Sequence, residues 1–205
     1  MMKEIRAFNF EVRAEENEEH GHFLTGQPIV YNERTDLGWY DEIIDNNALA
    51  ETDLRDVRFL VNHNTDMIPL ARSRNNNANS TMQMEVRENI GMSIRVDLDT
   101  ENNTDSRNLY SAVGRGDISG MSFMFIVDED SWEDIDSDHP TRHIRSISRV
   151  LEVSAVTFPA YEATSIQTRG LAEALESAKA SLDSVKSAKA ELERRKQKIR
   201  ILTEV

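Results

Sequence analysis

The sequence predicts a mainly β fold with peripheral helices: an antiparallel β-barrel followed by one long C-terminal helix. Three observations carry this. Short runs of alternating apolar and polar residues recur up to Phe158, each bounded by Gly, Asn or Asp. One stretch of that body, Thr104 to Val113, has helical spacing. From Leu171 the composition turns to Ala, Glu, Lys and Leu with no Gly or Pro. The expected division is a barrel domain over 1–170 and a helical, coiled-coil-like segment over 171–205.

Lys3 to Arg13 alternates loosely through Ile5, Ala7, Phe8–Phe10 and Val12, and reads as a strand. Glu15 to His20 reads as an acidic connection, and Phe23 to Tyr31 as a strand whose Gly26 and Pro28 signal a bulge or an edge. Asn32 to Gly38 reads as a loop, Trp39 to Ile44 as a short apolar element, and Asn46 to Asp53 as a short helix or turn. Asp56 to His63 is a clear strand with Val57, Phe59, Val61 and His63 on one face. Leu70 to Ser73 is a short extended piece and the Asn75–Asn79 run a loop. Thr81 to Arg87 and Gly91 to Leu98 both alternate, and their Glu88-Asn89 link makes them a hairpin. The helix from Thr104 to Val113 starts at a capping Thr or Asp and turns Leu109 and Val113 inward.

Gly114 to Asp117 is a flexible turn that runs through Ser119-Gly120-Met121-Ser122 into the apolar strand Phe123–Val127. Asp128 to His139 is acidic and reads as a mobile loop. Thr141 to Phe158 reads as two strands or one long bent strand, and Pro159 to Thr164 closes the body. In the final segment Leu171, Leu175, Ala178, Leu182, Val185, Leu192 and Ile199 form a seam, which Lys189 and Lys196 weaken. Such a helix either docks on the body or binds a partner.

Composition excludes several classes of function. With no cysteine there is no disulfide, thiolate nucleophile or cysteine-based zinc site. No apolar run is long enough to span a membrane, and the opening residues lack the apolar core of a signal peptide, so a cytoplasmic location and no membrane partner are expected. The net charge is −13; the segment from Leu171 carries eight basic and six acidic residues, leaving −15 on the body, which repels nucleic acid and favours partners with basic surfaces.

Three polar residues stand out, each the odd one in its strand. Ser122 enters a stiff apolar strand next to a turn, where a fixed hydroxyl lies near backbone N–H groups and suits a nucleophile. Its ordinary alternative is a strand-edge serine bonded to its neighbours. His63 ends an apolar strand on its core-facing side, where a neutral imidazole can accept a hydroxyl proton or serve structurally. Glu152 lies within Val150–Val156, where a carboxylate is costly unless paired; an imidazole N–H would satisfy it. Together they make a candidate nucleophile, base and orienter. A metal site is the competing use of the histidines: His20 with His22, and His139 with His143, each offer two nitrogens, but in acidic loops without convincing carboxylate spacing. No phosphate-binding glycine loop is present. No cofactor and no metal is expected.

The order of these motifs resembles the prohead (procapsid maturation) serine protease family of tailed bacteriophages. The carrying segments are Arg6–Arg13, Leu24–Tyr31, Val61-Asn62-His63, Gly116–Phe125 and Leu151–Tyr161, spread over roughly residues 3 to 170. The resemblance implies a fold like the herpesvirus assemblin proteases, a closed or nearly closed barrel, with Ser122 as nucleophile and His63 as base. Its third member carries over onto Glu152; assemblins use a second histidine there, which keeps His143 as the alternative. Met124 departs from the glycine that often follows the Ser-Phe pair in the family. Backbone N–H groups near Gly120–Ser122 or after Glu152 are candidates for the oxyanion hole.

The function so implied is a serine endopeptidase that cuts scaffold segments from capsid protein, and its own chain, inside an immature phage shell in the host cytoplasm. By resemblance it would be a dimer or higher homo-oligomer. The rival readings are a catalytically silent capsid assembly protein acting through its C-terminal helix, and a metal-dependent hydrolase.

Overall fold

The computed structural model describes residues 3–8, 12–157 and 168–203. Asn9, Phe10 and Glu11 of the first alternating run, Phe158 at the end of the expected last strand, and the Pro159–Thr164 close of the body lie outside the described residues. In chain order the elements are β1 (Lys3–Phe8), β2 (Val12–Asn17), β3 (Gly21–Val30), β4 (Arg34–Asp36), β5 (Asp41–Ile44), β6 (Asp56–Val61), β7 (Ala71–Arg74), β8 (Met82–Arg87), β9 (Gly91–Asp97), α1 (Thr104–Gly114), β10 (Gly120–Glu133), β11 (Thr141–Val156) and α2 (Thr168–Thr203).

The strands form two sheets. One, β2-β3-β9-β8, is wholly antiparallel. The other is built on β11, which pairs antiparallel with β10 along its length; β10 pairs in turn with β1. On its far side β11 runs parallel to β5 near its start and parallel to β6 near its end. The mainly β fold with peripheral helices therefore holds, but the sheets are not a closed barrel, and the larger one is mixed rather than antiparallel.

Their inner faces bury one core. Leu24 and Ile29 of β3 and Met92, Ile94 and Val96 of β9 meet Val57 and Phe59 of β6, Phe123 and Phe125 of β10, and Val153 and Ala155 of β11. Phe123 and Phe125 are fully buried with ring centroids 4.7 Å apart, and burying each such ring contributes about 1.5–3 kcal/mol. Because side chains alternate across a strand, the same pleat that turns Met121 and Phe123 inward turns Ser122 to the opposite face.

Several local expectations change. β10 continues to Glu133, so the expected loop from Asp128 is strand for half its length, held as a hairpin against the start of β11. Its Trp132 is buried against Tyr40, Ala178 and Leu182. The α1 cap is Asn103, whose side chain accepts from the N–H groups of Asp105 and Ser106. Thr141–Val156 is a single strand. The β3 irregularity falls between Gly26 and Ile29, where the bulge was expected.

On β1 the alternation misassigns the faces: Glu4 and Arg6 are buried while Ile5 is half-buried. Both belong to an ionic cluster under α2. Arg6 bonds both oxygens of Glu42 and donates to Glu4 Oε2 at 2.6 Å. Arg142 donates to Glu4 Oε1 and Oε2 at 3.0 and 2.8 Å and to Asp130 at 2.6 Å. Burial alone would raise the Glu4 carboxyl, yet Arg6 and Arg142 hold it below its ordinary range. Burial opposes the Arg6 charge, and Glu42, Tyr40 and Glu4 reverse this, so its guanidinium is held firmly protonated. The helix docks through the same cluster: Ser177 donates to Glu4 at 3.1 Å, and Ser181 donates to Asp130 at 3.0 Å. Ala174, Ala178 and Leu182 are buried, whereas every residue from Asp183 to Arg200 is exposed.

Candidate active site

Ser122, His63 and Glu152 reach one point from three elements. Ser122 lies in β10, Glu152 in β11, and His63 in the turn that follows β6. The pairing explains the convergence. Ser122 is opposite Ser154, Met124 is opposite Glu152, and β6 runs beside residues 152–155 of β11. Ser122, Glu152 and Ser154 thus share the face away from the apolar core, and the β6 turn brings the imidazole over that face.

Ser122 Oγ lies 2.5 Å from His63 Nε2. The opposite ring nitrogen, Nδ1, bonds Glu152 Oε1. Glu152 Oε2 accepts a hydrogen bond from the Ser154 hydroxyl at 2.7 Å. Ser122 Oγ also lies 2.7 Å from the Arg6 carbonyl oxygen. A hydroxyl has one proton, so the two acceptors compete. With a neutral imidazole, Ser122 donates to Nε2 and the ring donates Nδ1–H to Glu152. With an imidazolium, Nε2–H donates to Oγ and the hydroxyl turns its proton to the Arg6 carbonyl. The first state is the one a nucleophile needs.

The site is enclosed. Ser122 is fully buried, Glu152 is 3% exposed and the His63 side chain 8% exposed. The Glu152 carboxylate holds the ring by its Nδ1 and leaves Nε2 directed at the hydroxyl. Met121 and Ser122 have strand partners on both sides, β1 and β11, so in this conformation their backbone N–H groups belong to the sheet.

The other candidates lie elsewhere. His143 is nine positions before Glu152 on the same strand, roughly 30 Å away at 3.3 Å per residue. It bonds Asp45 Oδ1 through Nδ1 at 2.8 Å and does not join the Ser122 site. His22 bonds Thr100 at 2.6 Å and its ring lies 4.6 Å from Tyr110, while His20 faces Glu19, so the two do not converge. His139 and His143 are likewise divided between different acidic partners. Among the described residues one group, Asp36, Asp41 and His139, brings three metal-capable atoms together. Asp41 there also bonds Arg34 at 2.7 Å, a cation competing for the same carboxylate.

Sequence reasoning missed Ser154. Its two-residue spacing from Glu152 on a strand places both on one face, which is the signal that could have found it. It also missed the Arg6–Glu42–Arg142–Glu4 cluster, whose members lie on three separate strands. A protein-family model described as caudovirus prohead serine protease matches residues 8–179. No curated protein and no solved structure matches the chain.

Proposed function

Because the chain belongs to the caudovirus prohead serine protease family, we propose that it is an endopeptidase that removes scaffold segments from capsid protein, and processes itself, inside the procapsid in the host cytoplasm. Ser122 is the nucleophile, His63 the base and Glu152 the group that orients and neutralises the ring. The observation that supports this reading most is the 2.5 Å approach of Ser122 Oγ to His63 Nε2, with Glu152 on the opposite ring nitrogen.

The chemistry follows from the contacts. Ser122 Oγ attacks the scissile carbonyl carbon and its proton passes to His63 Nε2. The imidazolium is held by the Glu152 carboxylate at Nδ1, then gives the Nε2 proton to the departing amine. Water, deprotonated by the same nitrogen, hydrolyses the acyl-enzyme and regenerates the hydroxyl. Since Ser122 is fully buried, peptide reaches Oγ only after a local opening.

The exposed half of α2 supports a role in delivery. Asp183–Arg200 carries seven basic and three acidic residues, a net +4, and presents Val185, Leu192 and Ile199 at seven-residue spacing. This arm docks on helices of scaffold or capsid protein, and the boundary near residue 170 divides the proteolytic body from α2, whose stretch through Ala174, Ala178 and Leu182 packs back on that body. The silent-assembly reading rests on the same arm.

Incubation of the purified chain with capsid protein, followed by mass spectrometry, tests the proposal. Shortened capsid protein and a shortened protease are expected, and Ser122→Ala should abolish both with its melting temperature nearly unchanged. Continued cutting by that variant would refute the nucleophile assignment. Products from neither protein would favour the silent-assembly reading.

A further inference from the structure

His63 is unusual in its backbone. Among the described residues, every other non-glycine residue with positive φ is Asn or Asp, the types that best tolerate the left-handed region; His63 has φ +55° and follows Asn62 at φ +51°. Two consecutive left-handed residues bend the chain sharply past the end of β6. That bend carries the imidazole over β11 instead of continuing the strand, and something must hold it.

The holding groups come from β11 and the residue after it. The Asn62 N–H donates to the Ala155 carbonyl at 3.0 Å, extending the parallel ladder by one bond. The Asn62 side chain accepts from the Thr157 N–H at 2.9 Å and donates to Thr157 Oγ1 at 3.1 Å. At His63 a side chain takes over from the ladder: its N–H donates to Ser154 Oγ at 3.1 Å. The Ser154 hydroxyl in turn donates to Glu152 Oε2 at 2.7 Å. Ser154 is fully buried, and its one donor is used on the carboxylate.

We propose that Ser154 is a positioning residue for proteolysis, joining the main chain of the base to the carboxylate that orients it. The inference rests on the protease reading above. The Nδ1–Glu152 contact fixes the ring relative to the carboxylate, and the N–H–Ser154–Glu152 path fixes the backbone relative to the same carboxylate. Base and orienter thereby move as one body. With Ser154 removed, the left-handed turn loses the acceptor for its second N–H and the carboxylate loses a donor. The ring then samples positions where Nε2 misses Oγ. Ser154 touches neither substrate nor the reacting atoms, so its effect falls on the chemical step rather than on peptide binding.

The test compares Ser154→Ala and Ser154→Thr with the full-length chain on a capsid-derived peptide. Alanine should lower kcat roughly 10- to 100-fold, the scale of an ångström-sized misplacement, with KM changed less than about threefold. Threonine, which keeps the hydroxyl, should restore kcat to within about threefold of the parent. The rate of Ser122 labelling by a small fluorophosphonate, which needs no peptide binding, should fall with kcat in the alanine variant. Alanine within twofold of the parent kcat, a loss confined to KM, or a folded threonine variant no faster than alanine would overturn the proposal. If the alanine chain is unfolded at the assay temperature, the nearly isosteric Ser154→Cys decides: a kcat fall is expected, and an unchanged kcat refutes. Ser122→Ala, run alongside, separates the two readings. If it still cuts, the protease assignment fails; if it is inert while Ser154→Ala is fully active, only the positioning role fails.

Discussion

Replacing Arg142 by methionine removes one of the two cations that neutralise the buried cluster beneath α2. Arg142 is 2% exposed and bonds both Glu4 oxygens, Glu42 at 3.2 Å and Asp130. Within the four most buried members, two carboxylates would then face Arg6 alone. Breaking a buried ion pair from one side costs about 3–5 kcal/mol, because the remaining charge keeps its desolvation penalty without its partner. For a chain of this length each kcal/mol corresponds to about 2–4 °C, so the melting temperature should fall by roughly 6–20 °C. The pH dependence sharpens the prediction. In the parent, Glu4 is held below its unfolded-state range, so its contribution is present at neutral pH and is lost as acid protonates it. In the variant, burial outweighs the single remaining arginine and Glu4 shifts upward, so its penalty is relieved by protonation and grows with pH. The gap between parent and variant should be wider at pH 8 than at pH 5. Near-ultraviolet circular dichroism reports it directly, since Trp39, Tyr40 and Trp132 pack together beside the cluster. A shift below about 2 °C at pH 8, or an equal gap at both pH values, would refute the reasoning.

Two other outcomes are expected. Glu152→Gln keeps an oxygen for Nδ1–H but loses the charge that stabilises the imidazolium, so kcat should drop roughly 10²- to 10⁴-fold with the fold intact; a peptide-cleavage assay showing less than fivefold loss would contradict the orienting role. Gly91 has φ +129°, and a Cβ there would lie 2.0 Å from the Ile29 carbonyl oxygen. Gly91→Ala should therefore push the β8–β9 hairpin off β3 and cost about 2 kcal/mol or more, seen as a melting temperature several degrees lower.

How legible these features were in the sequence depended on what surrounds each residue. Ser122 and Glu152 could be singled out because each is a polar residue in an apolar strand, and His63 because it follows one, although the structure ends that strand at Val61 and puts His63 in the turn beyond it. β1 failed for the converse reason. Its alternation pointed to Ile5 and Ala7, but Glu4 and Arg6 are buried and Ile5 only half so, the two charges stabilised by Glu42 and Arg142 from strands far along the chain. Charge pairing of that kind has no local signature. The open, mixed sheet was hidden similarly: β6 and β5 run parallel to β11 across connections too long for hairpin signals, so alternation alone suggested antiparallel closure. Trp132 was placed in a loop because acidic residues surround it, although α2 and Tyr40 bury it.

The position of β11 as the last strand among the described residues has a consequence for the timing of synthesis. It brings Glu152 and Ser154, and β6 and β10 meet through it, although His63 precedes Glu152 by 89 residues and Ser122 by 59. A nascent chain whose final strand is still inside the ribosome therefore holds the hydroxyl and the imidazole without the scaffold that unites them. The three side chains can therefore be held together only after more than three quarters of the polypeptide has been made.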